Sequence, residues 1–144
     1  MSTQFFFGEW LDRAVGGTWT SERRYLYFRE PRPPRNVSMT TTFSVEKVVP
    51  LVWAVSWEGQ TSGRMQLELA GSTLHRDIGY FTADPTDSAL SRIDDDTVVF
   101  ETSYGGVTYR EEIRYLGDNH RLRQTVGRKN GEWVIAGQYV EWRT

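Results

Sequence analysis

The hydrophobic pattern changes period once along the chain. Phe6, Trp10 and Ala14 recur at helical spacing behind Ser2 or Thr3, either of which can cap a first turn, and Gly16-Gly17 stops the run. From Thr18 to Phe28 polar and apolar positions alternate instead. Asn36 to Val45 sets Val37, Met39, Thr41, Phe43 and Val45 on one face. Leu51, Trp53, Val55 and Trp57 share a face, as do Met65, Leu67 and Leu69, and alternation returns at Val98 and Phe100, Val107 to Leu116, Arg121 to Val126 and Trp133 to Arg143. Turn signals fall between these runs: Pro31 to Pro34, Glu58-Gly59, Ala70-Gly71, Asp94 to Asp96, Gly105-Gly106, Gly117-Asp118 and Asn130-Gly131. Short alternating strands with tight turns and no helix between them predict an all-β, antiparallel up-and-down meander behind a short N-terminal helix. Closing that meander into a β-barrel removes its exposed edges, and a small barrel of this kind can hold one ligand. The expected organisation is one domain, with the helix over 1–16 and the barrel over 17–144.

Alternation also assigns charges to faces. Trp19, Ser21, Arg23, Tyr25 and Tyr27 share the aromatic face of the first strand, so Arg23 points inward. Along Val107 to Tyr115 the apolar face is Val107, Tyr109, Ile113 and Tyr115 with Glu111 in its middle, while Thr108, Arg110, Glu112 and Arg114 face solvent. An inward charge must be paired or must meet a polar ligand. Arg23 and Glu111 therefore either pair with one another or line a polar cavity. Arg121, Arg123 and Thr125 share a face opposite Leu122, Gln124 and Val126, and alternation alone leaves the inward side undecided. Trp57 belongs to an apolar face.

Composition narrows the chemistry. The 144 residues fit one domain with one core, and the absence of cysteine excludes disulfides, thiolate metal sites and a covalent intermediate on a protein thiol. A net charge of −2 gives no general attraction to nucleic acid or anionic membrane. No apolar run approaches the roughly 20 residues of a membrane span, and the N-terminus has neither a basic leader region nor a cleavage site. A soluble, cytoplasmic domain is expected. Of 17 basic residues only Lys47 and Lys129 are lysines, and arginine's planar fork suits carboxylates and ring faces. Aromatic residues make up 14% of the chain, more than a small core needs unless rings also line a cavity. Conventional catalytic patterns are weak. His75 and His120 lack metal-ligand spacing, Ser72, Ser88 and Ser91 lack a nucleophile elbow, Gly105-Gly106 reads as a hairpin turn, and Asp94 to Asp96 reads as a solvated turn.

Four motifs in order resemble those of the S-type (CpcS/CpeS, with the related U-type) phycobiliprotein bilin lyases. They are Gly17-Thr18-Trp19-Thr20-Ser21-Glu22-Arg23, Val55-Ser56-Trp57-Glu58-Gly59, Arg76-Asp77-Ile78-Gly79-Tyr80, and Arg110-Glu111-Glu112-Ile113-Arg114 followed by Asn119-His120-Arg121-Leu122-Arg123-Gln124-Thr125. The resemblance runs nearly end to end. It departs at Arg114 and His120, where the family carries an aromatic and a leucine. It departs also at Lys47-Val48-Val49-Pro50, where the family has a longer insertion.

The resemblance implies a calycin-type barrel related to lipocalins and fatty-acid-binding proteins. Its substrate would be a linear tetrapyrrole of the phycocyanobilin or phycoerythrobilin type, bound without covalent attachment and with no permanent cofactor. Its protein partner would be an apo-phycobiliprotein subunit whose cysteine receives the pigment by a thioether. Homodimers, or heterodimers with a related subunit, are common among such proteins. By the same resemblance Glu111, Arg121, Arg123, Arg23 and Trp57 contact the ligand; the chemistry of such a pigment then makes Glu111 and Arg123 the expected catalytic pair and sets its rings on Trp57 and on tyrosines such as Tyr25 and Tyr109. The alternative function is a non-catalytic bilin carrier or a partner subunit of a heteromeric lyase.

Overall fold

The computed structural model describes residues 2–29, 32–78 and 84–144. One helix, α1 (Thr3–Asp12), precedes ten strands: β1 (Trp19–Arg29), β2 (Arg32–Val49), β3 (Val52–Glu58), β4 (Gly63–Ala70), β5 (Thr73–Arg76), β6 (Thr86–Arg92), β7 (Thr97–Tyr104), β8 (Val107–Tyr115), β9 (His120–Lys129) and β10 (Glu132–Arg143). Every strand pairs antiparallel with its sequence neighbour, and β10 returns to β1, closing an all-β barrel. Two strands, β5 and β6, escape the sequence pattern. β5 has four residues, and the inward side of β6 is Thr86, Ser88 and Leu90, so polarity hides the alternation. β2 begins within the segment expected as a Pro-rich turn. Pro33 and Pro34 sit at its start, where a missing N–H is tolerated, while Glu30 and Pro31 lie outside the described residues.

Ser2 caps α1, its hydroxyl accepting from the Phe5 N–H at 3.2 Å. Phe7, Trp10, Leu11 and Ala14 form the buried stripe, so Phe7 rather than Phe6 leads the inward face. The helix plugs one end of the barrel. The Trp10 indole N–H donates to the Asp96 carbonyl at 3.0 Å, the Trp53 indole to Asp12 Oδ1 at 2.9 Å, and the Trp19 indole to the Ala14 carbonyl at 3.0 Å. Arg13 pairs with Asp96 at 2.9 Å, so the acidic turn ties down the plug. β2 and β3 meet at this end in a turn through Pro50 and Leu51, and Leu51 adopts a left-handed φ of 67°.

Apolar packing falls into two groups. The larger joins the helix stripe to Trp19, Phe43, Trp53, Leu67, Leu74 and their neighbours, and the smaller is built on Tyr25, Ile135 and Tyr139. Among the described residues, no helix is long and apolar enough to cross a membrane.

Candidate functional site

Register builds the inner wall row by row. Across β1, β10, β9 and β8 the inward residues are Ser21, Glu141, Arg121 and Tyr115 in the row nearest the helix. Next come Arg23, Tyr139, Arg123 and Ile113, and then Tyr25, Gly137, Thr125 and Glu111. The undecided face of β9 is thereby settled: Arg121, Arg123 and Thr125 are buried, and Leu122 is 37% exposed.

These charges form one network. Arg121 Nε donates to Glu141 Oε1 at 2.6 Å, and its Nη1 donates to the Tyr115 hydroxyl at 3.3 Å. Arg123 reaches both carboxylates, with Nη1 to Glu141 Oε2 at 3.2 Å and Nη2 to Glu111 Oε2 at 3.1 Å. The Thr125 hydroxyl also donates to Glu111 Oε2, at 3.2 Å. Aromatic faces shield the cations, since the Arg121 guanidinium lies 5.0 Å from the Trp19 ring centre and 5.1 Å from that of Phe43. Arg123 and Arg23 approach the Tyr139 ring at 4.7 and 5.2 Å.

Arg23 does not pair with Glu111. Three strand steps separate them, and Arg123, on the strand next to Glu111, takes the carboxylate first. Arg23 instead donates from Nε to Ser21 Oγ at 3.0 Å.

Electrostatics keep both buried acids ionised. Burial pushes the Glu141 carboxyl up, but the adjacent Arg123 and Arg121 outweigh it and hold the group down to about 2. Burial also raises Glu111, and Arg123 with Arg76 brings it below the ordinary carboxylate range. Arg121 is raised, its desolvation outweighed by Glu141, while burial pushes the Tyr139 phenol up. Among the described residues, Glu111 Oε1 is a buried acceptor with no hydrogen-bond partner, and Thr86 Oγ1 is another.

The network borders a cavity of about 320 Å³ between the helix plug and the opposite end of the barrel. Trp10, Leu11, Trp53, Leu67 and Leu74 make its apolar floor, and Arg76, Glu111, Arg121 and Arg123 its polar wall. Arg23, Tyr25, Tyr27, Trp57, Gln60 and Thr61 complete its lining. Trp57 is half-buried, and its ring lies against Gly63, where any Cβ would fall 2.5 Å from Trp57 Cζ2. Glycine there is a condition for this ring position. Of the residues expected from the sequence, Glu111, Arg123, Arg23, Arg121, Trp57 and Tyr25 converge on this cavity. Tyr109 lies apart, stacked on Tyr104 at a centroid distance of 4.9 Å, beside a small recess that also touches Arg76, Thr86 and Glu111.

Two buried charges were not anticipated as site residues. Glu141 closes the inward series Ile135, Gly137, Tyr139, and that alternation alone could have found it. Arg76 follows Leu74 on the inward side of β5 and donates to Ser88 Oγ at 2.8 Å. Its motif continues into Gly79 and Tyr80, which lie outside the described residues.

The family description of the CpeS-like protein matches residues 55–144, a stretch that includes Trp57, Arg76, the whole of β8 and β9, and Glu141. The chain belongs to the CpeS-like family. Among related sequences, CpcV of Picosynechococcus sp., named as a chromophore lyase, is 25% identical over an alignment covering 99% of this chain and 81% of its own length. CpcS 2 of Nostoc sp., named as a phycocyanobilin lyase, is 26% identical, with 94% of this chain and 89% of the relative covered. The fold of the S-type phycobiliprotein lyase CpeS from Guillardia theta superposes with a TM-score of 0.72 over 100% of this chain and 93% of that one, at 18% identity. In this CpeS-like chain Arg114 and His120, the two substituted motif positions, are exposed on the outer wall, so neither alters the cavity.

Proposed function

We infer that this chain is a phycobiliprotein bilin lyase, which takes up a linear tetrapyrrole in the barrel and delivers it to a cysteine of an apo-phycobiliprotein. The observation that carries the reading is Glu111 Oε1, a buried anionic acceptor without a hydrogen-bond partner on a residue that lines an arginine-bearing cavity, in a chain whose relatives are named chromophore lyases. Pyrrole N–H groups are the donors such an oxygen lacks. Two propionates match arginine forks, and Arg23 offers one toward the cavity without a carboxylate partner of its own among the described residues. The half-buried Trp57 and buried Tyr25 supply ring faces for a conjugated pigment.

Attachment needs no cysteine from the lyase. The acceptor's thiol adds to the ethylidene of ring A, a C–S bond replaces the π bond, and the thiol proton ends on the pigment. Protonated pyrrole nitrogens favour that addition, and Glu111 stabilises the resulting positive charge from a site shielded from water. Holding the pigment in one pose suppresses addition at the wrong carbon or face.

The test is transfer. Purified chain, phycocyanobilin and an apo-phycobiliprotein subunit should give a pigmented adduct that survives denaturing electrophoresis, and E111Q should slow its formation by about 10²–10³-fold. Pigment binding without any adduct would make the protein a carrier or a subunit that works only with a partner.

A further inference from the structure

Beside the main cavity lies a recess of about 20 Å³, room for a single oxygen-sized group. Arg76, Phe100 and Glu111 line both spaces, so the recess is a side pocket in the cavity wall. It lies beyond Glu111 on the side away from the helix. β7 runs from Thr97, near the plug, to Tyr104 at the far hairpin, and the Thr102–Tyr109 pair that borders the recess follows the Phe100–Glu111 pair in that direction.

The recess combines hydrogen-bond donors with an acceptor. Thr86 pairs in register with Arg76 on the neighbouring strand, and the two are only 6% and 5% exposed. Arg76 Nη1 donates to Ser88 Oγ at 2.8 Å, Ser88 Oγ in turn meets Thr102 Oγ1, and the guanidinium lies 5.6 Å from the Phe100 ring centre. The fork is therefore held against one wall. Among the described residues, Thr86 Oγ1 and Glu111 Oε1 are buried atoms without a hydrogen-bond partner, and both residues line the recess. A hydroxyl and a guanidinium donate, whereas an ionised carboxylate only accepts. The group that matches this wall has a carbonyl oxygen next to an N–H. A lactam presents both on one edge, and each terminal ring of a linear tetrapyrrole is a lactam. The acceptor's thiol must enter from the end opposite the helix, which favours ring A, the ring that reacts.

We propose that the recess seats the lactam oxygen of ring A, and that Thr86 and Arg76 are catalytic donors to it. This rests on the bilin-lyase reading and adds an oxyanion site to it. The ring A carbonyl is conjugated with the ethylidene, so attack by the thiol is a conjugate addition. Sulfur bonds to the outer ethylidene carbon, and the ethylidene π pair moves onto the inner carbon and the lactam oxygen. The proton lost by the thiol ends on that inner carbon, which restores the carbonyl. Negative charge grows on the lactam oxygen in the transition state, where donors already in place stabilise it more than they stabilise the resting pigment.

Phycocyanobilin carrying an isotopic label at the ring A carbonyl tests the seat by infrared difference spectroscopy. The rate of adduct formation on an apo-phycobiliprotein subunit at saturating pigment tests the catalytic role. T86V should move the labelled band to higher wavenumber and slow adduct formation at least about tenfold, with a much smaller change in pigment affinity. T86S keeps the hydroxyl and should restore both band and rate, which a packing defect at this position would not allow. A T86V protein with the wild-type band and the wild-type rate would overturn this proposal and leave the lyase reading standing. A loss of rate that T86S shares in full would overturn it as well. A wild type that binds pigment but forms no adduct would overturn the lyase reading and the catalytic role together.

Discussion

Glu111 and Glu141 grip the same guanidinium. Arg123 spans the two carboxylates at 3.1 and 3.2 Å, and Glu141 holds Arg121 as well, so two acids and two arginines offset one another inside the barrel. The members differ in what they have left to offer. Glu141 is fully buried, with one oxygen on each arginine, and so acts on the pigment only through Arg121 and Arg123. Glu111 keeps an oxygen without a hydrogen-bond partner.

Removing the Glu141 charge should therefore be expensive for the fold. E141Q leaves two buried arginines short of a counter-charge, a change that costs about 3–5 kcal/mol when one partner of a buried pair is lost. Chemical denaturation monitored by tryptophan fluorescence would measure it. A loss below about 1 kcal/mol would mean that water reaches the network.

Acid should act on the same group. A carboxyl held at about 2 in the folded state, against an ordinary 4.5, contributes stability that is complete above 4.5 and is lost as pH falls toward 2. Glu111, depressed in the same direction, adds to the effect. Melting temperatures taken stepwise from pH 6 to pH 2 should fall more steeply in the wild type than in E141Q across the acid part of that window.

The Trp57 ring offers a test of the pigment pose that leaves the network untouched. In G63V the new side chain would overlap the indole, since even a Cβ falls 2.5 Å from its ring, and the tryptophan must swing away. Loss of one stacked face is worth about 0.5–1.5 kcal/mol, or up to about tenfold in the dissociation constant. Absorbance titration with phycocyanobilin should show that weakening.

The fold was legible in the sequence where the lumen is apolar and obscure where it is polar. Period-two alternation with turn signals located β1, β3, β4, β8 and β10, because their inward faces carry Trp, Tyr, Leu and Ile. It missed β5 and β6, whose inward Arg76, Thr86 and Ser88 read as solvated. On β9 the sign is inverted, with arginines inside and Leu122 outside, so hydropathy could not choose and the family resemblance favoured the inward face. For Tyr109, alternation gave the inward side but not the height along the barrel, and the ring sits on Tyr104 beside the recess instead of in the main cavity.

The central claim is that the unpartnered oxygen of Glu111 receives the pyrrole N–H groups of a bound bilin, and the visible spectrum of phycocyanobilin reads this directly. Added to the wild type, the pigment should develop a sharpened, red-shifted band whose intensity saturates with protein. With E111Q the pigment should still bind through the arginines and rings, but the red-shifted band should be lost or moved to lower pH. An unchanged spectrum on adding wild-type protein, or the same band in E111Q at every pH, would contradict the account.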